Sequence, residues 1–457
     1  MGRDSFRGND LCEWIYLQKE GSTKVELLDG ISRVKSPSIS IPALMSSCQR
    51  RAAKEIAACR SLTTLVHGPP GTGKTTVIVA TTAAWLSLNF KSFVLCVSQS
   101  SIAVMNMAEA FLKHNGPDFR IIALQELSNE HLSEGMKEKL VSSSDIAPRF
   151  LDGNLFKDGA TRVILSTISM LNSDILGPIY DRYPPDLIIV DEANHVFTGD
   201  YAVFLQKFRR SLRHVAFFGD PMQLSPHASE TIRGVYSVFD EKHLRRNGVL
   251  LDTSYRLPLP IAKAISSAYG ESLKYTHEIT SWRDCIRFID VDSGFEEKQG
   301  QSHKVPRQCY IGLIEQNHLE AMTVVQLVNN YYANSNCAII TPYKAQRLHI
   351  ADLLDKSNLA TRCIYSADTF QGYEADIVIF SVVHTVSLGF LCDIRKLTVM
   401  LTRAKKLLII VGMRRFVSGM ARKTLLGSLV NRFNQFNGFS VDWKEVLHGK
   451  ARLPLLL

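Results

Sequence analysis

Gly68-Pro69-Pro70-Gly71-Thr72-Gly73-Lys74-Thr75 is the stretch on which the rest of the chain is read. It follows an apolar run, Thr63–Val66, and opens a helix-length segment, Thr75–Leu86. A glycine-rich loop between a strand and a helix lets backbone N–H groups converge on phosphate oxygens, and the helix N-terminus adds positive potential. Lys74 has the charge and reach for the β and γ phosphates, and the Thr75 hydroxyl is a ligand for Mg²⁺. Gly68, Pro69, Pro70, Gly71, Thr72, Gly73, Lys74, Thr75 and Thr76 are the candidate phosphate-binding residues. By itself the loop says no more than nucleoside triphosphate.

Working outward, the apolar run Leu187–Val190 ends in Asp191-Glu192. A carboxylate at the carboxyl end of a parallel strand is where a Mg²⁺ site is built beside such a loop, so Asp191 joins Thr75 as a metal candidate. Glu192 points elsewhere and is the candidate general base for water. Further short apolar runs, Phe93–Val97, Val163–Leu165 and Val215–Phe218, alternate with helical stretches such as Ile102–Lys113. The rhythm restarts at Ala338–Ile340, Cys363–Tyr365, Ile377–Val383 and Leu408–Val411, with helices near Leu319–Tyr332 and Ala345–Leu354. Alternation of this kind predicts parallel α/β architecture, here as two tandem units. The join falls near Thr253–Pro260, where Pro258 and Pro260 disfavour a continuing element. The expected organisation is a segment 1–40 with no assigned role, a first unit 41–255 that carries the phosphate loop, a second unit 256–445 and a tail 446–457. The polar stretches 128–160 and 293–307 read as surface insertions.

Beyond the loop, motifs accumulate in a fixed order. Gln49 follows Ser47-Cys48, and Ser100-Ser101-Ile102 and Ser166-Thr167 come after two of the strand runs. Asp191-Glu192-Ala193-Asn194 and Gly219-Asp220-Pro221-Met222-Gln223 follow, then Thr253-Ser254-Tyr255-Arg256-Leu257. Ile340-Thr341-Pro342-Tyr343-Lys344-Ala345-Gln346, Ala367-Asp368-Thr369-Phe370-Gln371-Gly372-Tyr373-Glu374 and Leu401-Thr402-Arg403-Ala404-Lys405 complete the set. This series resembles the superfamily 1 helicases of the Up-frameshift, nonsense-decay type, and spans about residues 47 to 412.

The resemblance implies two RecA-like domains, ATP with Mg²⁺ as cofactors, and single-stranded RNA or DNA as partner, with 5′-to-3′ movement by a monomeric motor. It implies that Gln49 reads the adenine edge, Tyr255 stacks on the base and Gln223 senses the γ-phosphate. Arg256 and Arg403 would reach that phosphate from the second domain, while Gly372 and Glu374 would couple nucleotide state to grip on the strand. Lys74, Glu192, Gln223, Arg256 and Arg403 are thus the candidate catalytic set. Ser100, Ser101, Thr167, Thr341 and Thr369, small hydroxyl residues at strand ends, suit sequence-blind phosphate contacts. The same residue types also cap helices. The chain departs from the family pattern at His195, Thr398, Ser101, Met105 and His384, which puts coupling rather than hydrolysis in question. Only 48 residues precede Gln49, too few for the family's barrel-like accessory domain. The expectation is a stripped core, a fragment or a divergent member. An ATP-gated clamp or remodeller without unwinding, and a degenerate non-catalytic relative, stay open as alternatives.

Composition bounds the remaining choices. At 46% apolar and 21% charged residues the chain can build a sizeable core, which excludes wholesale disorder. A formal net charge of +9 is compatible with a polyanionic partner. The nine Cys form no C-x-x-C pair, which argues against a disulfide framework and a structural zinc site. No apolar run nears the roughly 18 residues of a membrane span, and the first residues carry no apolar signal segment. The expected setting is intracellular, cytoplasmic or nuclear.

Overall fold

The computed structural model describes residues 12–17, 45–88, 91–123, 133–142, 161–226, 236–246, 248–269, 273–294, 297–299, 314–357 and 364–454. The chain divides into two compact units. One comprises the residues before Met222 together with Ser225–Thr253, the other Met222–Leu224 together with Ser254–Leu457.

The first unit is a parallel sheet of β1 (Thr63–His67), β2 (Val94–Ser98), β3 (Phe119–Ala123), β4 (Leu140–Ser142), β5 (Val163–Thr167), β6 (Leu187–Asp191), β7 (His214–Gly219) and β8 (Val249–Leu250). Their order is β4-β3-β5-β2-β6-β7-β1-β8. The registers are parallel throughout; Ser98 lies beside Asp191 and His67 beside Gly219. Successive residues of each strand enter opposite apolar clusters. Leu65, Leu95, Val97, Ile188 and Val190 pack on one face, and Val66, Val94, Cys96, Leu187 and Ile189 on the other. That double burial is why these strands read as continuous apolar runs rather than as an alternation. β4 lies within the polar stretch expected to be a surface insertion; it is the edge strand of the sheet.

Residues 12–17, from the segment given no role in the sequence, are built into this unit. Glu13–Leu17 forms one wide helical turn. Cys12 and Ile15 enter the first cluster. Trp14 donates its indole N–H to Thr63 Oγ1 at 3.0 Å, and Tyr16 donates its hydroxyl to the Thr198 carbonyl at 2.6 Å. Ile15 is 1% exposed. Ile15→Ala is therefore expected to cost about 2–5 kcal/mol of stability, read as a lower urea midpoint; an unchanged midpoint would mean the strap is not part of the folded unit.

In the second unit, β9 (Thr253–Ser254) pairs with β10 (Lys274–Tyr275), and β12 (Glu297–Gln299) with β13 (Ile314–Gln316). The main sheet consists of β11 (Ile286–Asp290), β14 (Cys337–Ile340), β15 (Ile364–Tyr365), β16 (Ala375–Ser381), β17 (Ala404–Gly412) and β18 (Ser440–Asp442), ordered β15-β14-β16-β17-β11-β18 and again parallel in its registers. Phe288, Val378, Phe380, Leu408 and Ile410 face one apolar cluster, and Ile289, Ile377, Ile379, Leu407 and Ile409 the other. Cys363, expected to start a strand, lies outside the described residues; the strand runs over Ile364–Tyr365. The fold is α/β with parallel-sheet units. Among the described residues no helix is long and apolar enough to cross a membrane.

Candidate functional site

In the first unit the buried strand β1 delivers the chain into the loop, and the helix Lys74–Leu88 leaves it. Two glycines carry the positive φ that the loop needs, Gly71 at 74° and Gly73 at 79°. The loop braces itself: Thr72 Oγ1 donates to the Pro69 carbonyl at 2.8 Å, and the Gly68 N–H donates to the Gly219 carbonyl at 2.9 Å. A Cβ at Gly68 would stand 2.3 Å from Lys74 Cγ, and one at Gly73 would stand 2.5 Å from Gln49 Nε2. At Gly73 the positive φ strains any side chain, and at Gly68 a side chain would have to displace the stem of Lys74.

Gln49 sits in the helix Ser47–Ala58, behind an N-cap at Ser46 that forms a reciprocal box with it. Its Nε2 donates to the Thr72 carbonyl at 2.8 Å and its Oε1 accepts from the Ser46 N–H at 2.9 Å. Gln49 is thus a tether between that helix and the phosphate loop, a task that no sequence signal reports because its acceptor is a backbone carbonyl.

Lys74 Nζ donates to the Gly68 carbonyl at 3.0 Å and lies 3.8 Å from Glu192 Oε1. Asp191 closes β6 and is buried. Burial, then the neighbouring Glu192, push its carboxyl well above the usual carboxylate range; Lys74 and the Glu192 N–H oppose this. Glu192 has φ 51°, an uncommon backbone conformation for a residue with a Cβ, of the kind that clusters at functional sites.

The donor set fits Mg²⁺ held with a nucleotide, an ion that takes one or two protein oxygens plus phosphates. A buried carboxylate with a like charge beside it favours an added cation, and Thr75 and Asp191 would be the protein ligands. With the ion bound there, metal and proton would compete for Asp191. The Mg²⁺ dependence of nucleotide affinity is expected to strengthen as pH rises from about 5 to about 8 and to weaken on acidification. Calorimetric titrations of wild type and Asp191→Asn at matched pH test this; identical pH slopes would remove Asp191 from the metal site.

Two residues emerge here without a sequence signal for their roles. Asn194 Oδ1 accepts the Asp220 N–H at 3.1 Å, and His67 Nε2 meets Asp220 Oδ1 at 3.3 Å. Together they fix the turn after β7 against the end of β1.

In the second unit, Arg256 Nη2 pairs with Glu374 Oε2 at 2.6 Å, and Lys405 Nζ with Glu374 Oε1 at 2.6 Å. Burial alone would raise the Glu374 carboxyl; Arg256, Lys405 and Arg403 outweigh it and hold it below its ordinary range. Gly372, at φ 84°, precedes this carboxylate by two residues. Arg403 is 3% exposed, donates through Nη2 to Gln223 Oε1, and through Nε to the Val399 carbonyl at 3.2 Å. Two candidates for γ-phosphate sensing are thus hydrogen-bonded to each other. Tyr255 is 44% exposed.

The hydroxyl candidates for strand contact divide by burial and bonding. Ser100 caps the helix Ser101–Lys113 by accepting from the Ala103 N–H, and Thr167 caps Ile168–Leu171 by accepting from the Met170 N–H. Ser101 and Thr369 are exposed. Thr341 is fully enclosed at the end of β14 with an unpartnered hydroxyl.

AAA domain family models match residues 44–247 and 236–415. A DNA replication ATP-dependent helicase/nuclease of Bos taurus is 28% identical, aligned over 84% of this chain and 38% of its own length. Regulator of nonsense transcripts 1 of Caenorhabditis elegans is 27% identical, over 85% of this chain and 39% of its own. An ATP-dependent helicase of Saccharomyces cerevisiae is 25% identical, over 92% of this chain and 47% of its own. The chain spans less than half the length of these curated relatives. With the phosphate loop, the strand-ending carboxylate pair and the ordered motifs of both units, it belongs to the Up-frameshift-like superfamily 1 helicases.

Proposed function

We propose that the protein hydrolyses ATP to move 5′-to-3′ along single-stranded RNA or DNA and to separate duplexes. The observation that carries this reading is the pairing of Lys74 with Glu192 beside the buried Asp191, at the mouth of a glycine-rich loop between a strand and a helix. Lys74 neutralises charge on the β and γ phosphates and holds Glu192 near the reacting end. Glu192 orients the attacking water and accepts its proton. Thr75 and Asp191 hold Mg²⁺, which when bound shields phosphate charge. Gln223, Arg256 and Arg403 act on the γ-phosphate, and Gln49 and Tyr255 on the adenine.

Cycles of ATP binding, hydrolysis and product release would then advance the strand. Relatives named for DNA replication and for nonsense transcripts keep both polymers in play.

The test is ATP turnover of the purified chain with and without single-stranded RNA and DNA, at low and moderate salt, together with displacement assays on duplexes bearing a 5′ or a 3′ overhang. The expected result is strand-stimulated turnover that fades with salt and displacement only from the 5′ overhang. Turnover indifferent to any strand would overturn the motor reading; stimulation without displacement would reduce it to an ATP-gated clamp.

A further inference from the structure

The second unit contains a backbone conformation that the proposed chemistry leaves unexplained. β16 ends at Ser381, and Val383, two residues on, has φ 70°. The His384 N–H donates back to the Val382 carbonyl at 2.9 Å, closing a three-residue turn around Val383. Tight turns of this hand are rare and strained, and a β-branched residue at positive φ is a genuine outlier. Such strain persists only where the surroundings over-determine it, and it clusters at functional positions.

The surroundings are a closed polar network. Glu320 is fully buried, and its Oε2 accepts the Val383 N–H at 2.8 Å and the Ser381 hydroxyl at 2.8 Å. Asn317 Nδ2 reaches Glu320 Oε1 at 3.2 Å and the Val383 carbonyl at 3.3 Å. Both polar groups of the strained residue are thereby pinned. Burial raises the Glu320 carboxyl to about 8, offset in part by these hydrogen bonds.

The ordinary explanation for a glutamate here is helix capping, since Asn317 is the N-cap of the helix His318–Tyr331 and Glu320 is its third residue. A capping glutamate reaches back to the N-cap N–H. Here that N–H donates instead to Gln346 Oε1 at 2.8 Å, and Gln346 Nε2 donates to Ser381 Oγ at 3.1 Å. The carboxylate of Glu320 is released from capping and spent on the turn.

The turn delivers the chain to the carboxyl ends of β14 and β16, neighbouring parallel strands, the edge where open α/β sheets bind ligands. His384 is buried against the Tyr343 hydroxyl and the Ser387 hydroxyl, the latter at 3.1 Å, with Phe390 stacked on its ring. A Cβ at Gly389 would stand 2.0 Å from His384 Nε2. Beyond this anchor Val386 stands 61% exposed.

We propose that Glu320 is a positioning residue for nucleic-acid binding: it holds the Val383 turn, and the turn presents the segment Thr385–Gly389 to the single strand. This deepens the motor reading and rests on it. The full chain is assayed for ATP turnover against increasing poly(U), with the melting temperature of every variant measured alongside. In Glu320→Ala the poly(U) concentration for half-stimulation is expected to rise about tenfold, with maximal turnover changing by less than about twofold. Glu320→Gln, which keeps an acceptor for the Val383 N–H, is expected to stay within about threefold of wild type. Adding Val383→Gly to Glu320→Ala is expected to recover most of the loss, because glycine adopts this φ without a clamp.

An unchanged half-stimulation in Glu320→Ala, or equal losses in both kinetic parameters that glycine does not rescue, would overturn the assignment. If Glu320→Ala does not fold, hydrogen exchange on the wild type decides: the 382–390 amides are expected to slow on adding poly(U), and unaltered exchange there overturns the proposal. Absence of stimulation in the wild type itself would instead sink the motor reading on which this one stands.

Discussion

Lys74→Ala is expected to lower ATP turnover by about 10³-fold, with the melting temperature within about 4 °C of wild type. The ammonium is aimed into the loop, at the Gly68 carbonyl and Glu192, while the stem covers Gly68. Its removal leaves the loop's own bracing through Thr72 and Pro69, so the fold has little to lose. What is lost is the positive charge placed where the β and γ phosphates would carry negative charge. The same truncation leaves Glu192 without its counter-charge next to a second carboxylate, which raises the cost of keeping both ionised. Turnover near wild type in this variant, measured by phosphate release at saturating ATP, would remove the loop from catalysis altogether.

Arg403→Ala is expected to lower turnover by at least about 10³-fold while ATP affinity stays within about tenfold. A charge that acts on the transferring phosphoryl group contributes mainly in the transition state, so kcat falls and binding is largely spared. Arg403 also makes structural hydrogen bonds, to Gln223 Oε1 and the Val399 carbonyl. Its truncation strands a buried acceptor and costs about 1–3 kcal/mol of stability, so turnover must be read well below the melting temperature. Arg403→Lys separates the two roles. Lysine keeps the charge but loses the planar fork, and full rescue by it would contradict a guanidinium held in fixed geometry. Wild-type turnover in Arg403→Ala would leave this arginine as a packing residue and pass the assignment to Arg256.

The legible part of this molecule is the part in which chemistry is contiguous. The phosphate loop, Asp191-Glu192 and the apolar strand runs each need neighbouring residues of particular types, so a reading of eight or ten positions recovers them. Both sheets followed from strands buried on two faces, which write unbroken apolar runs. What escaped depends on partners far apart in sequence. Trp14 and Tyr16 reach Thr63 and Thr198, 49 and 182 residues away, from a weakly patterned segment. β4 was hidden in a charged stretch because an edge strand tolerates polar residues on its open side. Glu320 was invisible for the opposite reason. A glutamate near the start of an amphipathic helix looks solvated, and only the folded structure reveals that it is enclosed with Ser381, Asn317 and Val383.

The amide of Gln49 has a consequence for how the first unit breathes. One side chain joins the first turn of the helix Ser47–Ala58 to the carbonyl of Thr72, with no slack on either side. Fraying of that helix and loosening of the phosphate loop are then a single opening event rather than two. The order that ATP would need in the loop is thus shared with this helix, and whatever grips or melts the helix would also set the nucleotide's lifetime.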